Sequence, residues 1–493
     1  MLVLFAIPAM LELALLWTPL WQWRRPYAFS LSLIVTITSL VTGFFEPNLG
    51  GYLLIFVNFF RIANYGRIME GRLHETYLLY SARRTSCWLI LDGLLGLLLI
   101  ELGPSFTSVL ISLAIAQLLF GSMSLASTIR RLRHTAPLKV AHVSDYQLPT
   151  LTVAIPARNE SIDLEACLNS ILASHYPKLE VLVLDDSSQR KSAEVIRQFA
   201  HDGVRFIPGD PIRPNWLPKN QAYQQLAQAA SGDLILFCGV DIRFEPDSLR
   251  NLVEQMLAKH KQMLCVMPEN YEHTGVPEYS LIQAMRYAWE LALPRRLFGR
   301  PPVLSSCWLI TRDALKNSGG FAAVTRMIVP EAYFARELIK HDAYRFMHST
   351  AATRVISYKN ARSQLTTAIR TRYPQLHKRI EWVILVSLAE FSLAVLPLIL
   401  LAWSIWQAQP GWLLAILATA VATQYVSYGL VVRQSFGRLA LGTTLSLPVA
   451  ALADIVLLNY SMWKYEYSKL FWKGRDVTPT VMHTTPHLPK PSV

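Results

Sequence analysis

The sequence predicts an α/β domain with a mostly parallel sheet, inserted between N-terminal and C-terminal groups of transmembrane helices. Three observations support this fold class. The 493 residues are 52% hydrophobic and 16% charged, whereas soluble chains average about 25% charged residues. The apolar residues are concentrated in long runs towards both ends of the chain. Between those runs, short apolar strands alternate with amphipathic helices, a pattern typical of a parallel sheet covered by helices on both faces.

The long apolar runs are predicted to cross a bilayer, which takes roughly 20 residues. In the N-terminal region, residues 1–133, about five spans are expected: Leu2–Trp21, Ala28–Phe45, the shorter Tyr52–Phe60, Trp88–Leu102 and Phe106–Ser127. In the C-terminal region, residues 382–463, the runs are Trp382–Trp406, Trp412–Val432 and Leu439–Trp463. Pro448 lies near the middle of the last run and favours a re-entrant hairpin there, with a full span as the alternative.

The distribution of basic residues predicts the orientation of an integral membrane protein. Arg130, Arg131 and Arg133 follow the fifth span, whereas the Gln407–Gly411 turn is uncharged. Cytoplasmic loops carry the excess of Lys and Arg, so residues 134–381 are predicted to form a cytoplasmic domain and residues 464–493 a cytoplasmic tail. The net charge of +13 is then explained by loops that face anionic lipid, and no nucleic-acid partner is expected.

The middle of the chain contains four predicted strands with helices between them. The strands are Leu151–Ile155, Leu179–Leu184, Val204–Ile207 and Leu234–Cys238. Ligands of such sheets bind at the carboxyl ends of the strands, so the loops after the first, second and fourth strands are the expected site. No G-x-G-x-x-G or G-x-x-x-x-G-K-[ST] motif is present, which argues against a dinucleotide-binding domain and an ATP-driven transporter.

Acidic residues follow two of these strands. Asp185 and Asp186 end the second strand, where a carboxylate can accept hydrogen bonds from a uracil or guanine edge or from ribose hydroxyls; the alternative is a helix cap. Asp241 follows the fourth strand in the segment Gly239-Val240-Asp241. A carboxylate there can ligate a divalent ion that bridges a diphosphate, and the alternative is an ordinary turn.

Several longer motifs, in fixed order, resemble a family-2 glycosyltransferase with the GT-A fold, the Rossmann-like fold of nucleotide-diphospho-sugar transferases. The opening motifs are Thr152–Glu160, Tyr176–Ser187 and Ala230–Asp241. Asn215–Asn220 is similar to a segment of the branch that contains hopene-associated glycosyltransferases and ceramide glucosyltransferases. Later matches are Ser305–Ala314, Gly319–Phe321 and the Trp472–Arg475 tail. The resemblance covers roughly residues 150–350 and, briefly, the tail.

The resemblance implies a donor-binding site at the strand ends. The positions that match donor-nucleotide contacts are Ala157, Arg158, Glu160, Asp185 and Asp186. Lys219 matches a lysine near the nucleotide diphosphate. A nucleotide-sugar is therefore the expected donor, with UDP preferred to GDP as its nucleotide.

The resemblance also implies a metal ligand and a general base, and each motif departs from the family pattern. Asp241 matches the last acid of the D-x-D motif, which holds Mg²⁺ or Mn²⁺ against the phosphates, but Gly239 replaces the first acid. Metal binding is then expected to be weak, to depend on the donor phosphates, or to be replaced by basic residues. Glu331 matches the second residue of the family's Glu-Asp pair, the base that deprotonates the acceptor; the pair reads Pro330-Glu331 here.

Two segments are predicted to be helices at the membrane surface. The family's [QR]-x-x-R-W motif is absent as such, although Gln375–Trp382 holds the same residue types at wider spacing. An amphipathic helix with no role in binding is the alternative for this segment. Leu281–Leu297, which is followed by basic residues, is predicted to be a second interfacial helix.

These observations predict an inverting glycosyltransferase that moves a sugar from a nucleotide-diphosphate donor to a membrane lipid. A processive polysaccharide synthase and a degenerate, non-catalytic nucleotide-binding membrane protein are the alternatives. From a different class, a channel or transporter whose cytoplasmic domain binds a nucleotide is also consistent with the composition.

Overall fold

The structure, a computed structural model, describes most of the second half of the chain and selected parts of the first. The described residues are 11–12, 25–45, 52, 55–56, 58–59, 62, 106–158, 162–185, 197–214, 216–271, 278–292, 301–359, 361–376, 380–437, 440–467, 471–472 and 475–476. The predicted span Trp88–Leu102 lies outside this set, as does Leu2–Trp21 apart from Leu11 and Glu12. The chain forms two compact units, residues 1–113 with 480–493, and residues 114–479.

The described secondary structure follows the order expected from the sequence. The helices are α1 Arg25–Phe45, α2 Phe106–Thr135, α3 Ile162–Leu172, α4 Pro218–Ala229, α5 Ser248–Leu257, α6 Glu278–Ala292, α7 Arg312–Asn317, α8 Glu331–Ile339, α9 Ala361–Gln375, α10 Ile380–Glu390, α11 Leu396–Trp406, α12 Gly411–Phe436, α13 Ala440–Leu445 and α14 Leu447–Tyr467. The strands are β1 Leu151–Ala157, β2 Leu179–Asp185, β3 Val204–Pro208, β4 Leu234–Cys238, β5 Ile242–Phe244, β6 Met263–Met267, β7 Glu269–Asn270, β8 Cys307–Thr311, β9 Tyr344–His348, β10 Val355–Ser357, β11 Phe471–Trp472 and β12 Arg475–Asp476.

In the first unit, α1 coincides with the predicted span Ala28–Phe45. Its Ser39 hydroxyl accepts a hydrogen bond from the Asn58 amide, and both side chains are fully buried. Polar side chains within apolar helices commonly pair in this way, because lipid offers them no partner.

Helices of the second unit are long and apolar enough to cross a membrane. Within the described residues these are Leu110–Thr135, Trp382–Trp406 and Gly411–Phe436. The second combines α10 and α11 through a π-helical turn at Phe391–Val395. The predicted last segment, Leu439–Trp463, contains two helices, α13 and α14, with a break between them. Pro448 lies in the first turn of the 21-residue α14 and not at the middle of a hairpin. Proline is tolerated there because the first turn needs no intrahelical donor.

A seven-stranded sheet forms the centre of the second unit, in the order β3-β2-β1-β4-β8-β6-β9. Only β8 among its strands runs antiparallel, pairing with β4 and β6, so the predicted mostly parallel sheet is confirmed. A small sheet, β5-β10-β7, lies beyond the end of β4. The amide of Tyr358, just after β10, donates to the carbonyl of Asp241 at 2.8 Å. The second sheet thus brings the chain after β10 to the carboxyl edge of the first.

Aromatic side chains fill the core on one face of the sheet. Trp308 of β8 stacks on Phe237 of β4 with ring centroids 4.4 Å apart. Tyr223 of α4 contacts Phe237 at 4.8 Å, and Phe321 contacts both Phe237 and Phe334 of α8 at 5.4 Å. Such pairs contribute roughly 0.5–1.5 kcal/mol each beyond the burial of their area. The cluster therefore fixes α4 and α8 on the sheet.

The C-terminal part of helix α9 is attached to helix α14. The Tyr465 hydroxyl donates to the carbonyl of Arg370 at 2.6 Å, and the Ser461 hydroxyl donates to the carbonyl of Ile369 at 2.5 Å. The Arg372 guanidinium donates to the Asp454 carboxylate, which is 1% exposed. Asp454, an acid within an apolar segment, thus has a cationic partner from outside that segment.

A buried histidine is expected to make the folded protein less stable in acid. His348 of β9 is 3% exposed, and its Nδ1 lies 3.0 Å from the Thr135 hydroxyl. Burial, followed by repulsion from Arg345, lowers the pKa of His348 from 6.5 to about 4. The folded state disfavours the protonated ring, so the stability is complete above pH 6.5 and is lost as the pH falls towards 4. The full effect is about 3 kcal/mol.

We expect the thermal midpoint of the detergent-purified protein to fall less between pH 6.5 and 4.5 in His348→Gln than in the wild type. His341→Gln, on an exposed turn, serves as the control and should follow the wild-type curve. Parallel curves for the wild type and His348→Gln would show that His348 does not control acid stability.

Candidate active site

A cleft of about 600 Å³ lies at the carboxyl edge of the large sheet. The ends of β1 and β4 form its floor, and α4, α6 and α9 contribute its walls. Tyr465 of α14 also lines it. The cleft therefore lies between the sheet and α14, at the edge where parallel sheets bind ligands.

The structure brings several of the predicted site residues to this cleft. Ala157, Arg158, Lys219 and Asp241 line it. Asp185 pairs with Ala157 across β1 and β2 and is 7% exposed, but it is not among the residues that line the cleft. Glu160 and Asp186 lie outside the described residues.

Glu331 lies directly behind the cleft wall. It is the first residue of α8 and is fully buried. The Ser305 hydroxyl, which lines the cleft, donates to Glu331 Oε1. Lys219 Nζ lies 3.9 Å from Glu331 Oε2. The helix N-terminus, the Ser305 hydroxyl and the Lys219 ammonium thus surround this acid, and Ser305 and Lys219 connect it to the cleft.

Lys219 joins this carboxylate to a group of cations. Its ammonium lies 5.1 Å from the centre of the Tyr223 ring, at a distance typical of a cation–π contact. Burial lowers the pKa of Lys219, Glu331 opposes that shift, and Arg370 and Arg286 add to it. The lysine is thus placed between one acid and two arginines.

The Asp241 carboxylate lies beside Gly239, which replaces the first acid of the D-x-D motif. A Cβ atom on Gly239 would lie 2.3 Å from Asp241 Oδ1, so a side chain at 239 would require the Asp241 carboxylate to turn away. The described residues contain no group of three or more His, Cys, Asp or Glu side chains that could hold a metal.

The sequence analysis missed a set of basic residues in the cleft. Arg286 of α6, Lys359 after β10 and Arg370 of α9 all line it. Burial lowers the pKa of Lys359 to about 8; Asp241 opposes this shift, and Arg286, Arg370 and Lys219 add to it. Because they line one cleft, a single ligand bound there could contact more than one of them, and no sequence motif marked them.

Helix α9 contributes to the cleft at a different place from the one the sequence suggested. The residues of α9 that line the cleft lie between Arg362 and Thr371. Gln375, with which the predicted acceptor-side segment begins, is not among them, and residues 377–379 are not described. The cleft-facing part of the helix thus begins more than three turns before Gln375, since a turn takes 3.6 residues.

Comparison with known proteins agrees with the fold of this part of the chain. Residues 152–319 match Glycosyl transferase family 2. Residues 152–319 therefore form a family-2 glycosyltransferase domain, and the sheet around the cleft has the GT-A fold. Helices capable of crossing a membrane flank this domain on both sides in sequence. The narrower resemblance to the hopene-associated and ceramide glucosyltransferase branch remains a prediction.

Two curated relatives match parts of this region. Glycosyltransferase AglE of Haloferax volcanii is 34% identical over 98 residues, which are 19% of this chain and 31% of the relative. The 4,4'-diaponeurosporenoate glycosyltransferase of Staphylococcus aureus is 30% identical over 149 residues, or 30% of this chain and 38% of the relative. The chain thus spans about a third of the length of these relatives.

Among solved structures, the mannosyltransferase PcManGT from Pyrobaculum calidifontis, in complex with GDP-Man and Mn²⁺, aligns with a TM-score of 0.43 and 18% identity. The alignment covers 72% of this chain and 98% of that one.

Proposed function

We propose that the protein is a membrane-embedded, inverting glycosyltransferase that moves a sugar from a nucleotide-diphosphate donor to a membrane lipid. The observation that carries this proposal is the composition of the cleft wall. Residues of the glycosyltransferase domain, including Lys219 and Asp241, line the same cleft as Tyr465 of the apolar helix α14. A cleft bounded by an apolar helix favours an acceptor that arrives from the bilayer.

The donor is assigned to the floor of the cleft. Ala157 and Arg158, with Asp185 at the neighbouring strand end, correspond to nucleotide-contacting positions of the family, and the proposal extends this role to Glu160 and Asp186. Arg158 is 6% exposed, so its guanidinium is held near the floor. UDP and GDP are both tested below, with UDP as the preferred nucleotide.

Glu331 is the proposed general base. In a single displacement, the acceptor hydroxyl attacks the anomeric carbon, its proton passes to the base, and the bond to the diphosphate breaks on the opposite side of the sugar. A positioned base contributes about 10²–10⁴-fold to such a step. Ser305 is the point at which Glu331 reaches the cleft, because its hydroxyl both lines the cleft and donates to the carboxylate.

Asp241 is the proposed ligand for Mg²⁺ or Mn²⁺. A single protein carboxylate is enough to hold the ion, since Mg²⁺ is often bound by one or two carboxylates together with substrate phosphates and water. A bound metal ion would supply positive charge to the leaving diphosphate.

The proposed membrane setting follows the sequence. Residues 134–381 and the tail 464–493 are placed in the cytoplasm by the positive-inside rule, between the N-terminal spans of residues 1–133 and the C-terminal spans of residues 382–463. The name of the Staphylococcus aureus relative gives a diaponeurosporenoate as what it glycosylates, which supports a small lipid acceptor over a polysaccharide.

The proposal is tested by incubating the purified full-length protein with UDP- and GDP-sugars, with and without a membrane lipid extract. We expect one donor to release its nucleoside diphosphate, faster with lipid, and mass spectrometry to show a lipid with a hexose-sized increment. A channel or transporter that only binds nucleotide would leave every donor intact, and that result would refute the proposal.

A further inference from the structure

The cleft contains more basic than acidic side chains. Among the described residues that line it, six are basic and two are acidic. The basic side chains come from separate elements: Arg158, Lys219, Arg286, Lys359, Arg362 and Arg370. One of the two acids, Asp163, lies 3.6 Å from Arg243. A cleft of this composition is suited to an anion that carries several charges.

Lys359 occupies a position next to the remaining acid of the motif. Tyr358, its neighbour in sequence, donates its backbone amide to the Asp241 carbonyl at 2.8 Å, and Ser357 pairs with Ile242 across β10 and β5. Asp241 favours the charged form of Lys359. The lysine is therefore fixed beside the place where the family holds its metal ion.

Arg286 is a second cation of the cleft, and one of its hydrogen-bond donors is unused. Among the described residues, its Nε is a buried donor without a hydrogen-bond partner. Burial lowers the pKa of Arg286; Glu290 and Tyr287 oppose this shift, and repulsion from Arg372 adds to it. Leaving a buried charged donor unpaired is unfavourable, so an anion that paired with it would gain binding affinity.

We propose that Lys359 and Arg286, together with Arg370, form the diphosphate-binding site of the donor, so that nucleoside diphosphates bind even when Asp241 holds no divalent metal ion. This inference rests on the proposed function and deepens it. These cations would take up the charge that develops on the diphosphate as its bond to the sugar breaks, the role that the missing acid at 239 would otherwise share through a metal. A phosphate group on a lipid acceptor could bind the same cations, so the experiment distinguishes the donor diphosphate from a lipid phosphate.

The test measures the binding of UDP, GDP and farnesyl phosphate to the full-length protein in nanodiscs by calorimetry, once in EDTA and once with Mn²⁺. We expect UDP or GDP to bind in EDTA with a Kd within about threefold of that in Mn²⁺. Lys359→Met and Arg286→Met should each weaken nucleotide binding about tenfold in EDTA, while farnesyl phosphate binding stays unchanged. Lys340→Met, which removes an exposed lysine paired with Glu337, is the control and should bind as the wild type does.

A requirement for Mn²⁺, or nucleotide binding that is the same in both variants and the wild type, would overturn the inference. So would the absence of nucleotide binding in both conditions, and so would weakening confined to farnesyl phosphate, which would assign the cations to the acceptor. The proposed function fails separately, if no donor is consumed although nucleoside diphosphates bind in EDTA.

Discussion

Glu331→Gln is expected to lower the rate of sugar transfer by about 10²–10⁴-fold while leaving the affinity for the nucleotide within a factor of two. Glutamine keeps the size of the side chain and can still accept the hydrogen bond from Ser305, but it cannot take a proton from the acceptor. Steady-state transfer rates, with nucleotide binding measured by calorimetry on the same preparation, check this expectation.

The matched control is Glu337→Gln on the same helix. Glu337 forms an exposed ion pair with Lys340, and such pairs contribute little to stability, so transfer should remain at the wild-type level. If Glu331→Gln transfers sugar at the wild-type rate, the base must be another group. If it loses nucleotide affinity as well, the substitution has disturbed the neighbouring Lys219.

Arg372→Met is expected to destabilise the protein by about 3–5 kcal/mol, because it leaves buried carboxylates without their cation. Asp454 is 1% exposed and Glu390 is 4% exposed, and both favour the charged form of Arg372. The loss should appear as a lower thermal midpoint and a lower yield of monodisperse protein in detergent.

The same helix provides the control for this prediction. Arg362→Met removes an exposed cation of α9 and should leave the thermal midpoint unchanged. The double variant Arg372→Met with Asp454→Leu removes both partners of the pair and should recover part of the loss, since apolar replacements of buried ion pairs are often neutral. A wild-type midpoint for Arg372→Met alone would mean that the ion pair does not hold α9 to α14.

The local parts of the fold and site could be predicted from the sequence. The strands β1, β2 and β4 are continuous apolar runs, and parallel sheets place their carboxyl ends together. That rule predicted that Ala157 and Asp241 lie at the same edge of the sheet, and in the structure both line the cleft there. Lys219 followed from the motif around it.

The parts that depend on distant contacts could not be predicted. Arg286, Lys359 and Arg370 reach the cleft on three separate elements, and their local sequences resemble those of any basic surface helix or turn. The burial of Glu331 behind Ser305 likewise depends on the packing of α8 against the aromatic cluster of the sheet. The sequence drew attention to Gln375–Trp382 as the acceptor-side segment, whereas the residues of α9 that line the cleft lie between Arg362 and Thr371.

The attachment of α9 to α14 has a practical consequence for biochemistry on this protein. A fragment limited to residues 134–379 would retain every strand of the large sheet, yet it would lack Tyr465 and the other side chains of α14 that hold α9 in place. Inhibitor screens run on such a truncation would sample a site with one side unsupported. Ligand discovery should therefore use the intact chain in a lipid environment, where α14 is present to support α9.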